Sequence, residues 1–256
     1  MKGKGMTPDE RFTFSLDFKN TLQTQGDFSL AGHMWSATEL LKTLKPFLTE
    51  ERIERISSVL PQRTFNIAVV GEHLHDIGNI SAVMRSAESF GFLPFHIIEQ
   101  QQAKYKRSER ISKGSEKWLD ITKWKDTKAC LRDLKKSGYQ VVVTALEGSQ
   151  PIHTVDFSKP TAIVLGNEKT GVSPEALEEA DIRAAIPMNG FTQSFNISVA
   201  AAIIFYHAYT DRLKKLGRSG DLPEDVAERI EAQYYLRTLD SAEEILKSIL
   251  QKKQNQ

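Results

Sequence analysis

Short apolar runs and helical patterns alternate through the middle of this chain. Runs of four to six largely β-branched residues predict strands, and apolar residues at every third or fourth position predict helices. Strands are predicted at residues 66–70, 95–98, 141–145, 162–165 and 182–186, and helices at residues 80–90, 127–137 and 196–216. A short helix should begin at Ser173-Pro174, because serine caps helix N-termini and proline suits the first helical position. This alternation predicts an α/β fold with a mostly parallel sheet covered on both faces.

Helical patterns also flank this α/β segment. Ser36-Ala-Thr-Glu39 fits a capping box that opens a helix over residues 36–46, and a second amphipathic helix is predicted over residues 49–60. Two further helical segments are predicted within residues 224–253, after a linker at residues 217–223. The α/β segment should therefore carry helical segments on both sides.

Composition excludes several classes of protein. The 256 residues carry 34 Lys and Arg against 33 Asp and Glu, and this balance argues against a uniformly basic nucleic-acid coat. A single cysteine, Cys130, excludes an intrachain disulfide framework and a multi-cysteine zinc site. The longest apolar run, residues 199–206, is too short for a bilayer, and the first residues lack the apolar stretch of a signal peptide. We expect a soluble, cytoplasmic protein.

Three junctions between strands and helices carry candidate chemistry, because ligands of open α/β sheets bind where strand ends meet the following loops. In the first, residues 76–91, Asn79 is a candidate helix N-cap and Arg85 follows six residues later. In the second, residues 162–171, Glu168 lies between two glycines. In the third, residues 186–198, Ser194 and Asn196 precede a helix whose first turns are small residues. Each junction taken alone is equally compatible with an ordinary capped helix or turn.

Other signals are weak. His73-Leu-His75-Asp76 has no evident third and fourth ligand, so no metal site is expected. The only G-x-G, Gly3-Lys-Gly5, follows no strand, so the dinucleotide-binding fingerprint is absent.

Taken together and in this order, the three junctions resemble the three motifs of the SpoU class of ribose 2′-O-methyltransferases. The resemblance runs over residues 49–216 and is most specific at Ser194-Phe-Asn196-Ile-Ser-Val-Ala-Ala. Within the class, the sequence is most similar to TrmH-type tRNA guanosine-2′-O-methyltransferases. The resemblance implies a SPOUT fold with a deep C-terminal trefoil knot, S-adenosylmethionine (AdoMet) as cofactor, tRNA as substrate and a homodimer with shared active sites. It divides the chain into an N-terminal extension (residues 1–48), a methyltransferase domain (49–216) and a C-terminal helical extension (217–256).

The resemblance also assigns roles to matching positions. The catalytic set is Asn79, Arg85, Glu168, Ser194 and Asn196. The AdoMet-binding set is Thr144, Gly166, Ile186, Met188 and Phe195. Phe195 replaces the leucine usual in the family, and Thr170 occupies a position that is often aromatic in the tRNA enzymes, so the shape of the pocket should differ in detail.

A basic segment between the first and second motifs is a candidate RNA-binding surface. Residues 100–137 carry twelve basic and five acidic residues, a net charge of +7. Tyr105 and Trp118 in this segment could stack on bases. The candidate phosphate-binding residues, with one from the long predicted helix, are Lys104, Lys106, Arg107, Arg110, Lys113 and Arg212.

Two other functions fit the same motifs. The same reaction on ribosomal RNA is the nearer alternative, although many such enzymes carry an N-terminal domain of mixed strands that residues 1–48 are too short to form. A non-catalytic RNA-binding protein would be expected to have lost Asn79, Arg85 or Asn196, all of which are present. A tRNA target, with the D-loop guanosine at position 18 as the methylated nucleotide, is therefore favoured.

Overall fold

The computed structural model describes residues 21–99 and 114–254. The strands are β1 (Phe28–Leu30), β2 (His33–Trp35), β3 (Ile67–Glu72), β4 (Pro94–Ile98), β5 (Asp120–Trp124), β6 (Gln140–Thr144), β7 (Gln150–Pro151), β8 (Thr161–Leu165) and β9 (Ile182–Ala185). The α-helices are α1 (Ala37–Leu44), α2 (Glu50–Val59), α3 (Ile77–Ser89), α4 (Thr127–Lys136), α5 (Pro174–Glu178), α6 (Ile197–Leu216), α7 (Glu224–Thr238) and α8 (Ala242–Gln254).

The chain forms two compact units whose boundaries differ from those expected. One unit spans Arg63–Asp221, and the other combines Leu22–Gln62 with Leu222–Gln256. Residues 22–62 and the residues after 221, which the sequence placed in separate segments, therefore belong to one unit. Helix α2, which the sequence assigned to the methyltransferase domain, belongs to this second unit.

The larger unit contains a seven-stranded sheet in the order β5-β4-β3-β8-β6-β9-β7, and every neighbouring pair is parallel. Successive residues of β3 point to opposite faces, so Ile67 and Val69 join one apolar core and Ala68 and Val70 join another. Helices α3 and α6 contribute to the first core, and α4 and α5 contribute to the second. The predicted α/β fold with a sheet covered on both faces is confirmed. The trefoil knot stays a prediction from the resemblance.

Most helix ends follow the sequence, with one informative exception. Ser36, Ser173 and Gly217 cap α1, α5 and α6 as predicted, and Ser36 forms the full capping box with Glu39. The N-cap of α3, however, is Asp76, whose side chain accepts a 2.8 Å hydrogen bond from the backbone amide of Asn79. The prediction of Asn79 as the cap was wrong. Because Asp76 serves as the cap, the Asn79 side chain is available for other contacts.

The smaller unit packs α1 against α7 and contains the β1–β2 hairpin, which the sequence did not predict. Trp35 is buried in this unit, and its indole donates a hydrogen bond to the carbonyl of Leu30. The side-chain amide of Gln233 both donates to and accepts from the backbone of Gln23. None of the helices within residues 21–99 and 114–254 combines the length and apolarity needed to cross a membrane.

Candidate active site

A cavity of about 780 Å³ lies at the carboxyl ends of β6, β8 and β9. Parallel strands all present their carboxyl ends at the same edge of the sheet, and this edge is the usual ligand site of α/β folds. All five residues expected to bind AdoMet line the cavity: Thr144, Gly166, Ile186, Met188 and Phe195. Four of the five expected catalytic residues line it as well: Asn79, Glu168, Ser194 and Asn196. The three motifs thus meet in one cavity.

Three polar side chains from the three motifs form a continuous chain of hydrogen bonds. The amide nitrogen Nδ2 of Asn196 donates to Oδ1 of Asn79 at 3.2 Å, and Nδ2 of Asn79 donates to Oε1 of Glu168 at 3.1 Å. A carboxylate can only accept hydrogen bonds, so Glu168 determines which way the amide of Asn79 faces. Oδ1 of Asn196 in turn accepts from the backbone amide and the hydroxyl of Ser198. Each amide is thereby fixed in orientation.

Glu168 also joins the second motif to the backbone of the first. Its carboxylate accepts hydrogen bonds from the amides of His75, at 3.1 Å, and Asp76, at 3.4 Å. Desolvation raises the pKa of Glu168, but these amides, its own amide and the Asn79 side chain favour the charged form and leave the pKa below its ordinary value. Glu168 therefore carries its negative charge at neutral pH, and the lowered pKa makes it a weaker base than an ordinary carboxylate.

The loop after β8 folds back tightly on itself at Gly166. A Cβ atom at Gly166 would lie 2.4 Å from both the carbonyl carbon of Gly171 and the nitrogen of Val172. The backbones of Asn167 and Gly171 exchange two hydrogen bonds of 2.9 Å, and Gly171 adopts a left-handed φ of +72°. Only glycine fits at position 166, and this close approach shapes one wall of the cavity.

Arg85 lies outside this cavity. Its side chain is exposed on α3 and forms no hydrogen bond or ion pair with the residues that the structure describes. An exposed groove runs beside it, lined by Ala82 and Ser86 of α3 and by Ser198, Val199, Ala202, Ile203 and Tyr206 of α6. Because Arg85 is three residues from Ala82, it projects from the same side of α3 as the groove.

The character of the cavity fits AdoMet. Its volume is within the roughly 300–1,000 Å³ typical of small-molecule sites. Apolar walls from Leu146, Val172 and Leu177 suit a purine ring, whereas the charged side chains of Glu147 and Arg183 suit the hydroxyls and the amino-acid end. Within residues 21–99 and 114–254, no group of three His, Cys, Asp or Glu side chains is placed to hold a metal ion.

Only part of the candidate RNA-binding surface falls within the described residues. Lys104, Lys106, Arg107, Arg110 and Lys113 lie outside them. The rest of the segment is less available than its charge indicates: Lys123, Lys128, Arg132 and Lys135 all form ion pairs with acidic residues. The ammonium of Lys117 lies 4.8 Å from the ring centroid of Trp118 and covers one face of the indole.

The assignment of Arg212 to RNA binding was wrong. Its side chain is fully buried, with 0% exposure, and it forms an ion pair with Asp221. Asp221 also accepts hydrogen bonds from Thr64, at 2.5 Å, and Asn66, at 2.7 Å. Arg212 therefore ties the end of α6 to the start of β3 and cannot reach a phosphate.

The sequence also missed residues that line the cavity. Lys169 and Gln193 come from the motif loops themselves, and their position next to Glu168 and Ser194 was the available signal. Thr170, which the sequence had already linked to the shape of the pocket, lines the cavity as well. Arg183 comes from β9, a strand that the sequence predicted without assigning a role to Arg183. No periodicity rule marks a strand residue as facing a ligand.

Comparison with known proteins agrees with this geometry. Residues 66–206, more than half of the chain, match the SpoU rRNA Methylase family. The chain is 38% identical over 167 residues to the tRNA (guanosine(18)-2′-O)-methyltransferase of Aquifex aeolicus, which covers 65% of this chain and 79% of the relative. The enzyme of the same name from Borreliella burgdorferi is 36% identical over 193 residues, or 75% of this chain and 88% of the relative.

Solved structures give the same family. The crystal structure of the A. aeolicus TrmH/SpoU tRNA modifying enzyme superimposes with a TM-score of 0.69 and 35% identity, covering 74% of this chain and 98% of that one. The SpoU methyltransferase AviRb from Streptomyces viridochromogenes, in complex with AdoMet, gives a TM-score of 0.54 and 25% identity over 61% of this chain and 64% of that one. The three motifs, their meeting in one cavity and these similarities agree, and the chain belongs to the SpoU methylase family.

Proposed function

We propose that this protein transfers the methyl group of AdoMet to the ribose 2′-OH of a nucleotide in tRNA, with the D-loop guanosine at position 18 as the target. The hydrogen-bonded chain of Asn196, Asn79 and Glu168 at the wall of the cavity carries the proposal. The relatives named tRNA (guanosine(18)-2′-O)-methyltransferases, of which the chain covers 79% and more, support the choice of substrate.

AdoMet, when bound, supplies a methyl group that is already activated by its attachment to a sulfonium. The protein must then hold the 2′-oxygen in line with that methyl group and exclude competing orientations. The second proton on Nδ2 of Asn196 and the free lone pair on Oδ1 of Asn79 are available for ribose hydroxyls, because each amide uses only part of its hydrogen-bonding capacity within the protein. The Ser194 hydroxyl, exposed at the same wall, adds a third polar contact.

Arg85 stabilises charge rather than removing the proton. A guanidinium stays protonated up to about pH 12, so it cannot serve as a general base at neutral pH. In this proposal Arg85 binds the neighbouring RNA phosphate through two parallel hydrogen bonds and stabilises the charge that develops on the 2′-oxygen. The phosphate or a water molecule takes the proton.

Arg85 reaches a cavity by dimerisation. The groove beside it exposes Val199, Ile203 and Tyr206, and the Tyr206 side chain is 60% exposed. An apolar face of this kind on a helix suits a second copy of the same chain, because a two-fold interface places the same patch on both subunits. The proposed homodimer brings Arg85 of one subunit to the Asn79 and Asn196 of the other.

The RNA is bound through the basic residues Lys104, Lys106, Arg107, Arg110 and Lys113, which follow β4 in the sequence. Ribosomal RNA is the second candidate substrate, favoured by the rRNA methyltransferase from Sinorhizobium meliloti, whose AdoMet-bound structure gives a TM-score of 0.50 at 27% identity. Incubation with radiolabelled AdoMet and equal amounts of unmodified tRNA and rRNA transcripts distinguishes the two. Label in tRNA supports the proposal, and label confined to rRNA contradicts it.

A further inference from the structure

A buried carboxyl group lies next to the cavity without lining it. Glu72 is the last residue of β3 and its side chain is 0% exposed. Its Oε1 accepts hydrogen bonds from the hydroxyls of Thr127, at 2.7 Å, and Ser173, at 2.5 Å, and its Oε2 accepts from the backbone amide of Ser173 at 2.9 Å. All three donors are neutral. A buried carboxyl with no cationic partner among residues 21–99 and 114–254 is costly, so its position needs an explanation beyond packing.

Ser173 connects this carboxyl to the wall of the cavity. Its hydroxyl oxygen accepts from the amide of Ala176 and caps α5, so the hydroxyl hydrogen points to Glu72. Val172, immediately before it, lines the cavity, and the nitrogen of Val172 would lie 2.4 Å from a Cβ at Gly166. The position of Ser173 therefore determines how closely Val172 approaches Gly166.

The contact between Glu72 and Ser173 is the first of three hydrogen-bonded links between the segment that follows β3 and the loop that follows β8. One residue on, the carbonyl of His73 accepts a 2.7 Å hydrogen bond from the side chain of Asn167, and His73 itself is held at a left-handed φ of 53°. The third link joins Glu168 to Asn79. The segment from the end of β3 to the first turn of α3, which includes Asn79, is thus bound at three points to the loop after β8, which forms one wall of the cavity.

We infer that Glu72 is a positioning residue for the AdoMet pocket: through Ser173 it holds the loop after β8 in the conformation that binds the cofactor. This inference rests on the proposed function, because it assumes that the cavity binds AdoMet. Glu72 touches no reacting group. Its loss should weaken cofactor binding and leave the methyl-transfer step, once the cofactor is bound, almost unchanged.

The experiment compares E72Q, S173A, S173T and T127V in the full-length protein by calorimetric titration with AdoMet and by steady-state kinetics. Glutamine preserves the shape of Glu72 but turns one acceptor into a donor that faces the same donors. We expect E72Q and S173A each to raise the Kd and KM for AdoMet about tenfold, with kcat at saturating AdoMet within about threefold of wild type. S173T retains the hydroxyl and should bind as wild type. T127V removes the hydrogen bond from Thr127 to Glu72, which does not involve the loop after β8, and should change the Kd for AdoMet by less than about twofold.

Controls separate this inference from the function on which it rests. If E72Q fails to fold, the comparison of S173A with S173T tests the inference instead. Weaker AdoMet binding by S173A and normal binding by S173T would show that the hydroxyl at position 173 is required. If the variants lower the melting temperature but bind AdoMet as wild type, Glu72 is only structural and the inference is overturned while the proposed function stands. Wild-type protein that binds no AdoMet overturns both. The double variant E72Q/S173A should bind AdoMet less weakly than the product of the two single effects predicts, because both variants disturb the contact between the same two residues.

Discussion

The side-chain amide of Asn196 donates a hydrogen bond of 3.2 Å to the side-chain oxygen of Asn79, although 117 residues separate them in the chain. Asn79 lies in the first turn of α3, and Asn196 caps α6. Glu168, which accepts from Asn79 at 3.1 Å, fixes the direction of both amides. A polar chain that crosses three motifs at the wall of a cavity is an arrangement suited to orienting a ribose.

Removing either amide should slow methyl transfer without preventing cofactor binding. We expect Asn79→Ala and Asn196→Ala each to lower the single-turnover rate at least about 100-fold, and the double variant to be little slower than the single ones, because the residues act as a unit. AdoMet affinity should change by less than about threefold. Asn189→Ala, in the same loop as Asn196 but exposed and away from the cavity wall, is the matched control. Additive losses would show that the two amides act separately.

Gly166→Ala should destroy the cofactor pocket. The added Cβ would meet backbone atoms at 2.4 Å, and the loop of residues 167–172 must move to accommodate it. We expect AdoMet binding to be undetectable by calorimetry and the free energy of unfolding to fall by about 1–3 kcal/mol. Gly190→Ala tests the same substitution where the nearest atom is 3.9 Å away, and it should bind AdoMet as wild type. Normal binding by Gly166→Ala would contradict the proposed wall.

The lowered pKa of Glu168 predicts how the stability of the fold changes in acid. A carboxylate whose pKa is lower in the folded protein than in the unfolded chain stabilises the fold at pH above its ordinary pKa of 4.5, and this contribution disappears as the pH falls through the folded value. Carbon-detected NMR titration should place the Glu168 midpoint below 4.5. In Asn79→Ala the midpoint should rise, because one donor to the charged form is removed. A midpoint above the ordinary value would show that desolvation prevails and that Glu168 could act as a base.

Mixed dimers test whether active sites are shared. Subunits carrying Arg85→Ala or Asn196→Ala should each be inactive as homodimers. Heterodimers purified through two different tags should recover about half of the wild-type rate, since one of the two sites then combines an intact Arg85 with an intact Asn196. No recovery would mean that Arg85 acts within its own subunit. Arg85→Lys should remain slow, because lysine cannot bind a phosphate through a planar fork.

The groove between α3 and α6 is the proposed dimer interface, so a charge placed in it should prevent dimer formation. Ile203→Glu places a charge in the groove between α3 and α6 and should give monomers in analytical ultracentrifugation. Lys214→Glu, exposed on the same helix but outside the groove, should leave the dimer intact. Dimers of Ile203→Glu would place the interface elsewhere.

RNA binding should depend on the basic residues that follow β4. Alanine at Lys104, Lys106, Arg107 and Arg110 should weaken tRNA binding and reduce the slope of log affinity against log salt by about 3, since each phosphate contact contributes about 0.7. Alanine at Lys128, Arg132 and Lys135, which already pair with acidic residues, should change the slope by less than about 1. Equal slopes in the two alanine variants would contradict a role in RNA binding for the basic residues that follow β4.

Sequence patterns predicted the buried strands well and the edges of the sheet poorly. Strands β6 and β8, which consist of apolar runs, were predicted almost to the residue. Strand β5, Asp-Ile-Thr-Lys-Trp, was missed because it lies at the edge of the sheet and its five residues, three of them polar, form neither an apolar run nor a regular alternation. The two-residue β7 is too short for any pattern.

Local sequence rules also failed where the residues near a position fitted two different roles equally well. Asp76 and Asn79 are both good capping residues three positions apart, and only the structure distinguishes the cap from the residue at the cavity. Arg212 follows Asp211 near a run of lysines and looked exposed, but Asp221, nine residues later, holds it inside. That Asn79, Glu168 and Asn196 meet could not follow from spacing, because strand order brings them together. The resemblance to the SpoU class supplied that expectation.

Methyl transfer to a single defined hydroxyl tests the proposed function directly. Two tRNA transcripts, identical except for guanosine or 2′-deoxyguanosine at position 18, are incubated with the protein and radiolabelled AdoMet, and the labelled nucleoside is identified after digestion. We expect one methyl group per tRNA, recovered as 2′-O-methylguanosine, and no label in the deoxy transcript. Equal labelling of both transcripts, or label on a base, would contradict it.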